Sequence, residues 1–294
     1  MSLNKIKENI LFGIFLMAVS QFFSASVVTA VKIVSAHLPT PFIVFVSYFI
    51  CLCLIILLLL FNRKVSIKTS HFSLQISRSF FGVLYFGCLF QAVKYIPVVD
   101  GILLRTTAPI WVTFIAVFWL REKINHRIWW GIFTGFAGIA LVLHPTLVGI
   151  NLGYFIALFA GVSFAISSII TSQLNKLGEP LFRTLFYAFL VPSIVLSPYA
   201  LIYWPNEFFF EDAILLPFIG IGTMMLLLFY VSSMHYASAT VLLPITYLGV
   251  IIAGFYDWAL WQHAPDTLSI AGIILVFLGC FYIVWLKNQE LQQS

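Results

Sequence analysis

The chain has 294 residues, 62% of them hydrophobic and 9% charged, with a mean hydropathy of +1.07 and a formal net charge of +5. A soluble domain of this length needs about a quarter of its residues charged to cover its surface, so a cytosolic enzyme, a secreted disulfide scaffold and a disordered tail are excluded. Lys and Arg are scattered through short polar segments and form no basic face with interleaved aromatics, which excludes nucleic-acid binding and leaves a protein of the lipid bilayer.

A bilayer core about 30 Å thick takes roughly 20 apolar residues per helix. The pattern predicts ten such spans, at 9–34, 41–61, 76–95, 98–120, 128–144, 151–174, 184–204, 213–235, 239–261 and 267–286. The first follows Lys5 and Lys7 and reads as a retained helix, not a signal peptide, because nine further apolar runs come after it. No run alternates with period two, so the spans are helices, which satisfy their own backbone hydrogen bonds in lipid, and the fold class is an all-α integral membrane protein. Breakers mark the short connections: Pro39, Pro41, Pro97, Pro145, Gly178 with Pro180, Pro205 and Pro265. Orientation follows from the basic residues. With the N-terminus in the cytoplasm, 12 of the 15 Lys and Arg lie inside, Arg78 among them, leaving Lys32, Lys94 and Arg105 elsewhere. Ten spans return the C-terminus to the same side. Tryptophans gather near span ends, apart from Trp111, which falls near mid-membrane and reads either as packing or as cavity wall.

Polar residues inside the spans are the functional candidates. Span one carries Ser20, Gln21 and Ser24, and span six carries Ser163, Ser167 and Thr171 at helical spacing, hydroxyls that either bind substrate or glue neighbouring helices. Gln91 and Lys94 lie one turn apart on span three, where Lys94, like Lys32, is expected to reach the headgroups. Arg105 stands out, lying about seven residues, or roughly 10 Å, below the outer boundary of span four. Its burial costs roughly 2.5 to 3.5 kcal/mol, so it faces a partner or a wet cavity and not lipid. Glycines Gly131, Gly135 and Gly138 of span five, with Gly272 and Gly279 of span ten, form ridges that suit either contact within the chain or a homodimer. Tyr230 and Ser233 lie on span eight. Thr246, Gly249, Ala253 and Asp257 share one face of span nine, beside Tyr247, and Asp257 lies at the depth of Arg105 as its expected partner. Cys51, Cys53, Cys88 and Cys280 lie in apolar runs without zinc-ligand spacing, no phosphate-cradling loop is present, and no cofactor is expected.

The chain also repeats itself. An offset of 141 residues places Tyr95 on Tyr236, Ile110 on Ile251, Phe114 on Phe255, Gly131 on Gly272, Phe136 on Phe277 and Gly138 on Gly279; an offset of 143 places Ser20 and Ser24 on Ser163 and Ser167. Two halves, 1–145 and 146–294, hold five spans each, so the second enters the membrane from the opposite side, as in carriers whose halves rock about a central site. Ala92 to Pro97, Thr107 to Ile110, Leu120 to Lys123, and Gly131 with Gly138 resemble the first EamA-type repeat of the drug/metabolite transporter superfamily. Met234 to Ala237, Leu243 to Tyr247, and Gly272 with Gly279 resemble the second. The resemblance implies a small-metabolite carrier of the bacterial inner membrane, with a cavity lined mainly by spans 1, 3, 4, 6, 8 and 9. Glu122 matches the family pattern, whereas His263 stands at its counterpart and Pro109 maps onto Val250, so the helix break of the second half is expected to be absent or displaced. The expected activity is alternating-access transport of an amino-acid-like or related metabolite. A membrane enzyme or a channel-like facilitator is the alternative; the paired aspartates, metal cluster or serine with a base that an enzyme needs are not found.

Overall fold

A computed structural model describes residues 3–61, 67–118, 127–143, 151–205, 207–236, 242–262 and 266–293. Helices α1 (Leu3–Val34), α2 (Thr40–Phe61) and α3 (Phe72–Ala92) form the first three spans, α4 (Val98–Arg105) and α5 (Ala108–Phe118) share the fourth, and α6 (Ile128–Leu143) is the fifth. The second half runs through α7 (Leu152–Lys176), α8 (Leu181–Ile202), α9 (Phe210–Tyr236), a 3-10 turn (Leu243–Tyr247) leading into α10 (Leu248–Trp261), and α11 (Thr267–Gln293). The described residues contain no strand. Glu122, Pro145, His263 and Pro265 lie outside the described residues.

Among the described residues, five stretches are long and apolar enough to cross a bilayer: Leu11–Val34, Thr40–Phe61, Leu152–Lys176, Leu181–Ile202 and Phe210–Tyr236. Three of the remaining spans have features of their own. Helix α3 buries Gln75 and Arg78, and spans four and nine change their helical geometry part-way. Span four breaks at Thr106 and Thr107, where the backbone N–H groups reach Ile102 O and Leu104 O and each hydroxyl donates to a carbonyl three residues back, 2.7 and 2.6 Å away. Carbonyls freed by the break thus gain partners inside the protein, the condition for interrupting a helix in a membrane. In the second half the distortion spans Leu243–Tyr247, with Pro244 at its start, so the break is present but displaced from the position that Pro109 indicates.

The packing is two-fold in its logic. Helix α1 packs on α9 while α3 packs on α7; α1 packs on α10 while α4 packs on α7; α2 meets α8, and α6 meets α11. Exchanging first-half spans for their second-half counterparts maps this set onto itself, as a pseudo-two-fold axis in the membrane plane requires. The glycine ridges show it at atomic scale. A Cβ on Gly138 would lie 2.6 Å from Val276 N and 2.7 Å from Gly272 O; one on Gly279 would lie 2.6 Å from Gly135 N and 2.7 Å from Gly131 O. The ridges therefore face each other within the chain, and backbones approach where a methyl would collide.

Candidate functional site

The core opens into two small adjoining cavities, each about 30 Å³. A volume of that order holds about two water molecules. The first is lined by residues of spans one, three, four, six, eight and nine, the six expected from the sequence. Its cation is Arg105, 3% exposed, the last residue of α4 before the break. Nη1 donates to Ser24 Oγ at 2.6 Å and to Tyr85 OH at 3.2 Å, and Nη2 donates to Gln21 Oε1 at 2.8 Å. The guanidinium lies 5.7 Å above the ring of Phe164, and Nε is buried without a hydrogen-bond partner. Gly249 makes the cage possible, since a Cβ there would lie 3.0 Å from Gln21 Oε1 and 3.6 Å from Arg105 Nη2. Gly161 does the same for the break, where an added Cβ would fall 2.6 Å from Leu104 O.

Every partner of Arg105 is neutral, and this corrects the expected pairing with Asp257. Asp257 is fully buried near the C-terminal end of α10, where Oδ1 takes Lys32 Nζ at 3.3 Å and Oδ2 accepts the Val99 N–H at 2.7 Å. Lys32 also lies 4.5 Å over the ring of Trp261, so its ammonium is engaged within the protein. One carboxylate thereby ties α1, α4 and α10 together. Asp100 stands nearby, buried, and accepts from Tyr154 OH at 3.1 Å.

The second cavity is lined by Tyr48, Arg78, Ser79, Gly82, Ser167, Thr171 and neighbours on α2, α3, α7 and α8. Arg78, placed with the cytoplasmic surface by sequence, is 6% exposed and sits two turns inside α3, which begins four residues earlier than its predicted span. Nε donates to Thr171 Oγ1 at 3.1 Å, and Ser167 Oγ donates to the Arg78 carbonyl at 3.3 Å. The signal for its burial was the apolar residues Phe72, Leu74 and Ile76 ahead of it. Tyr85, Phe164, Leu227 and Tyr230 border both cavities. Three of them form a partition of rings, Tyr85 to Phe164 at 5.0 Å and Phe164 to Tyr230 at 5.7 Å between centroids. No acidic residue is among those lining either cavity.

Of the sequence candidates, Arg105, Ser20, Gln21, Tyr230 and Thr246 line the first cavity, Ser24 holds its arginine, and Ser167 lines the second. Ser20 also donates to Leu226 O at 3.0 Å, so it joins α1 to α9 as well. The others lie apart. Gln91 accepts from Thr40 Oγ1 and donates to Tyr95 OH beside a lateral groove between α2, α3 and α8. Trp111 donates to Thr107 Oγ1 at 3.0 Å and packs against Phe114 and Phe136. Ser163 is buried on α7, Ser233 donates to Tyr230 O, and Tyr247 OH donates to Val276 O at 3.4 Å. Gly249, Ala253 and Asp257, buried on the same face of α10, pack between helices, leaving Thr246 as that face's contribution to the cavity. Sequence reasoning missed Arg78, Tyr48, Tyr85 and Phe164. The described residues contain no group of His, Cys, Asp and Glu that could hold a metal ion.

Comparison with known proteins adds three kinds of match. A family model described as the EamA-like transporter family matches residues 11–144 and again residues 151–285. The pseudopaline exporter of Pseudomonas aeruginosa is 28% identical over 271 residues, covering 90% of this chain and 93% of that protein. The S-adenosylmethionine uptake transporter of Rickettsia bellii is 23% identical over 254 residues, 86% of each chain, and a riboflavin transporter of Vibrio cholerae is 26% identical over 84% of each. A solved crystal structure superposes with a TM-score of 0.66 at 15% identity, over 96% of this chain and 98% of its own, which speaks for the fold.

Proposed function

This chain belongs to the EamA-like transporter family, and from that premise we propose that it is a secondary transporter which carries a small anionic or zwitterionic, amino-acid-like metabolite across the bacterial inner membrane by alternating access. The observation that carries the reading is Arg105. A guanidinium 3% exposed, hydrogen-bonded only to neutral groups and bordering a largely apolar cavity at a broken helix holds a charge that nothing around it cancels. Buried unpaired charge is costly, and an anionic group of the cargo relieves that cost at the moment of binding. The named relatives act on different metabolites and are named for both export and uptake. Their shared feature supports a carrier of small organic solutes rather than an enzyme.

Two halves of opposite orientation supply the motion. The cavities of about 30 Å³ are far smaller than an amino acid, so the cargo enters only after the halves tilt and the ring partition parts. Each half anchors one five-span unit, 1–145 and 146–294, with both termini in the cytoplasm. Energy comes from the solute's own gradient, from exchange or from an ion.

The test is counterflow in liposomes containing the purified chain. Saturable uptake that is accelerated by solute on the opposite side, without chemical conversion, is the expected result. Arg105→Ala should lower it at least about 100-fold, the order expected when a charge-assisted hydrogen-bond anchor is lost, while the variant elutes as folded protein. Undiminished counterflow in that variant removes Arg105 from the site, and product formation by the unmodified chain replaces the carrier reading with an enzyme.

A further inference from the structure

Arg78 is the more exacting feature of the core. It is 6% exposed, and of its three guanidinium nitrogens Nε alone makes a hydrogen bond, to Thr171. Nη1 and Nη2 have no hydrogen-bond partner among the described residues, yet neither is sealed away from the cavity, in contrast to Nε of Arg105. That is the end of the guanidinium fork that meets a carboxylate with two parallel bonds. Arg105 is used the other way round, with both terminal nitrogens taken by Gln21, Ser24 and Tyr85. The two cations border adjoining cavities, one on each side of the partition of Tyr85, Phe164 and Tyr230, with no carboxylate lining either.

We propose that Arg78 is a second anion-binding group of the same central site, and that the cargo carries two carboxylates separated by a short apolar spacer. Resting on the carrier reading above, the proposal deepens it from a solute with an anionic group to a dicarboxylate. One carboxylate meets the open fork of Arg78 on the cytoplasmic side of the partition; the other sits against Arg105 on the outer side, bordered by the hydroxyl of Thr246 and the amide of Gln21. The spacer lies along the rings of Phe164 and Tyr230 after they turn aside, against walls otherwise formed by Leu226, Leu227 and Met17. Two buried positive charges separated by apolar rings are unfavourable for a monoanion, which relieves one and leaves the other bare. A dicarboxylate relieves both. Thr171 positions the fork by fixing Nε and does not touch the cargo.

The experiment uses the purified full chain in detergent and two matched series as probes: the straight-chain dicarboxylates from succinate to pimelate, and the monocarboxylates of the same carbon number. Affinity is read by titration calorimetry, with folding checked by elution profile and helical signal. At one or more chain lengths the dicarboxylate should bind at least about tenfold more tightly than its monocarboxylate counterpart, the order expected of one extra charge-assisted bidentate contact. Arg78→Gln should abolish that preference; Arg78→Lys, which keeps the charge and loses the fork, should retain part of it. The proposal is overturned if the unmodified chain prefers no dicarboxylate at any length, or if folded Arg78→Gln keeps the preference. Should Arg78→Gln fail to fold, the unmodified chain and Arg78→Lys decide the matter alone. Loss of counterflow in Arg105→Ala together with an unchanged preference in Arg78→Gln refutes this proposal and leaves the carrier reading standing, whereas absence of counterflow for the unmodified chain refutes the carrier reading itself.

Discussion

Half-buried Lys32 and the buried charges Asp257 and Arg105 illustrate how environment assigns roles to residues that look alike in sequence. Asp257 is fully buried and holds Lys32 and the Val99 N–H, so removing one partner strands a charge instead of deleting a contact. Lys32→Ala should therefore destabilise the protein by about 3 to 5 kcal/mol, while the double variant Lys32→Ala with Asp257→Asn recovers much of that loss. Thermal unfolding in detergent of the two single variants and the double one checks this; simple additivity would refute the tie. Arg105 was legible from depth alone, because an arginine in an apolar run is anomalous wherever it occurs. Its partners were not legible, since depth says nothing about azimuth, and the acid expected beside it lies at the start of α4 and pairs with Lys32. Arg78 escaped for a different reason. Positive charge near a span end has the bland reading of a cytoplasmic flank, and only the earlier start of α3 at Phe72 turns it inward.

Helices reveal what propensity could and could not say. Positions and lengths of most spans follow from runs of about 20 apolar residues, and the glycines of spans five and ten mark a close contact by composition. Composition left two users for that contact, a second chain or the other half, and the distances of 2.6 and 2.7 Å around Gly138 and Gly279 assign it to α6 against α11. Gly138→Leu should force these backbones apart and destabilise the fold by about 1 to 3 kcal/mol or more, with Gly279→Leu costing a similar amount because the two positions are symmetry mates. Unfolding midpoints of the two variants that differ widely would contradict the two-fold relation. The break at Thr106 and Thr107 does not interrupt the hydrophobic pattern, which runs on through most of Ala108 to Phe118; Pro109 marks it in the sequence, and the hydroxyls cap Leu103 O and Leu104 O where the helix ends.

At the scale of the whole chain, two clasps hold opposite ends of the bundle. Between α1 and α2, His37 Nε2 lies 2.8 and 2.9 Å from the carboxylate oxygens of Asp212 at the head of α9. Between α7 and α8, Glu179 accepts from Thr69 Oγ1 ahead of α3 at 2.6 Å and from Arg183 Nη1 at 3.0 Å. The two clasps lie at opposite ends of the bundle, the first at the outer end and the second at the inner end in the orientation proposed above, and with both engaged the cavities between them are small. In a cysteine-free background carrying Thr246→Cys, Asp212→Asn should raise labelling by an impermeant maleimide from outside severalfold, and Glu179→Gln should raise it from inside; equal effects on both faces would refute opposed gates. Burial raises the Glu179 carboxyl, but the bonds from Thr69 and Arg183 outweigh it and hold the group below the ordinary carboxylate range. A depressed carboxyl contributes fully above its unfolded value and loses its contribution as pH falls through the folded one, so the difference in unfolding midpoint between the unmodified chain and Glu179→Gln should stay flat from about pH 8 to about pH 5 and shrink only in stronger acid. Symmetry of shape was readable from the offset of 141 residues, whereas the burial of both cations beside the central cavities needed coordinates. Both guanidinium groups descend from the first half, and at the same offset the second half offers isoleucine at position 219 and threonine at 246. Two-fold-related helices thus enclose a lopsided electric field: on the carrier cycle proposed above, half-saturation concentrations measured from the two faces should differ, with detailed balance met through unequal waiting times of the empty carrier, so kinetics would acquire a direction that equilibrium does not.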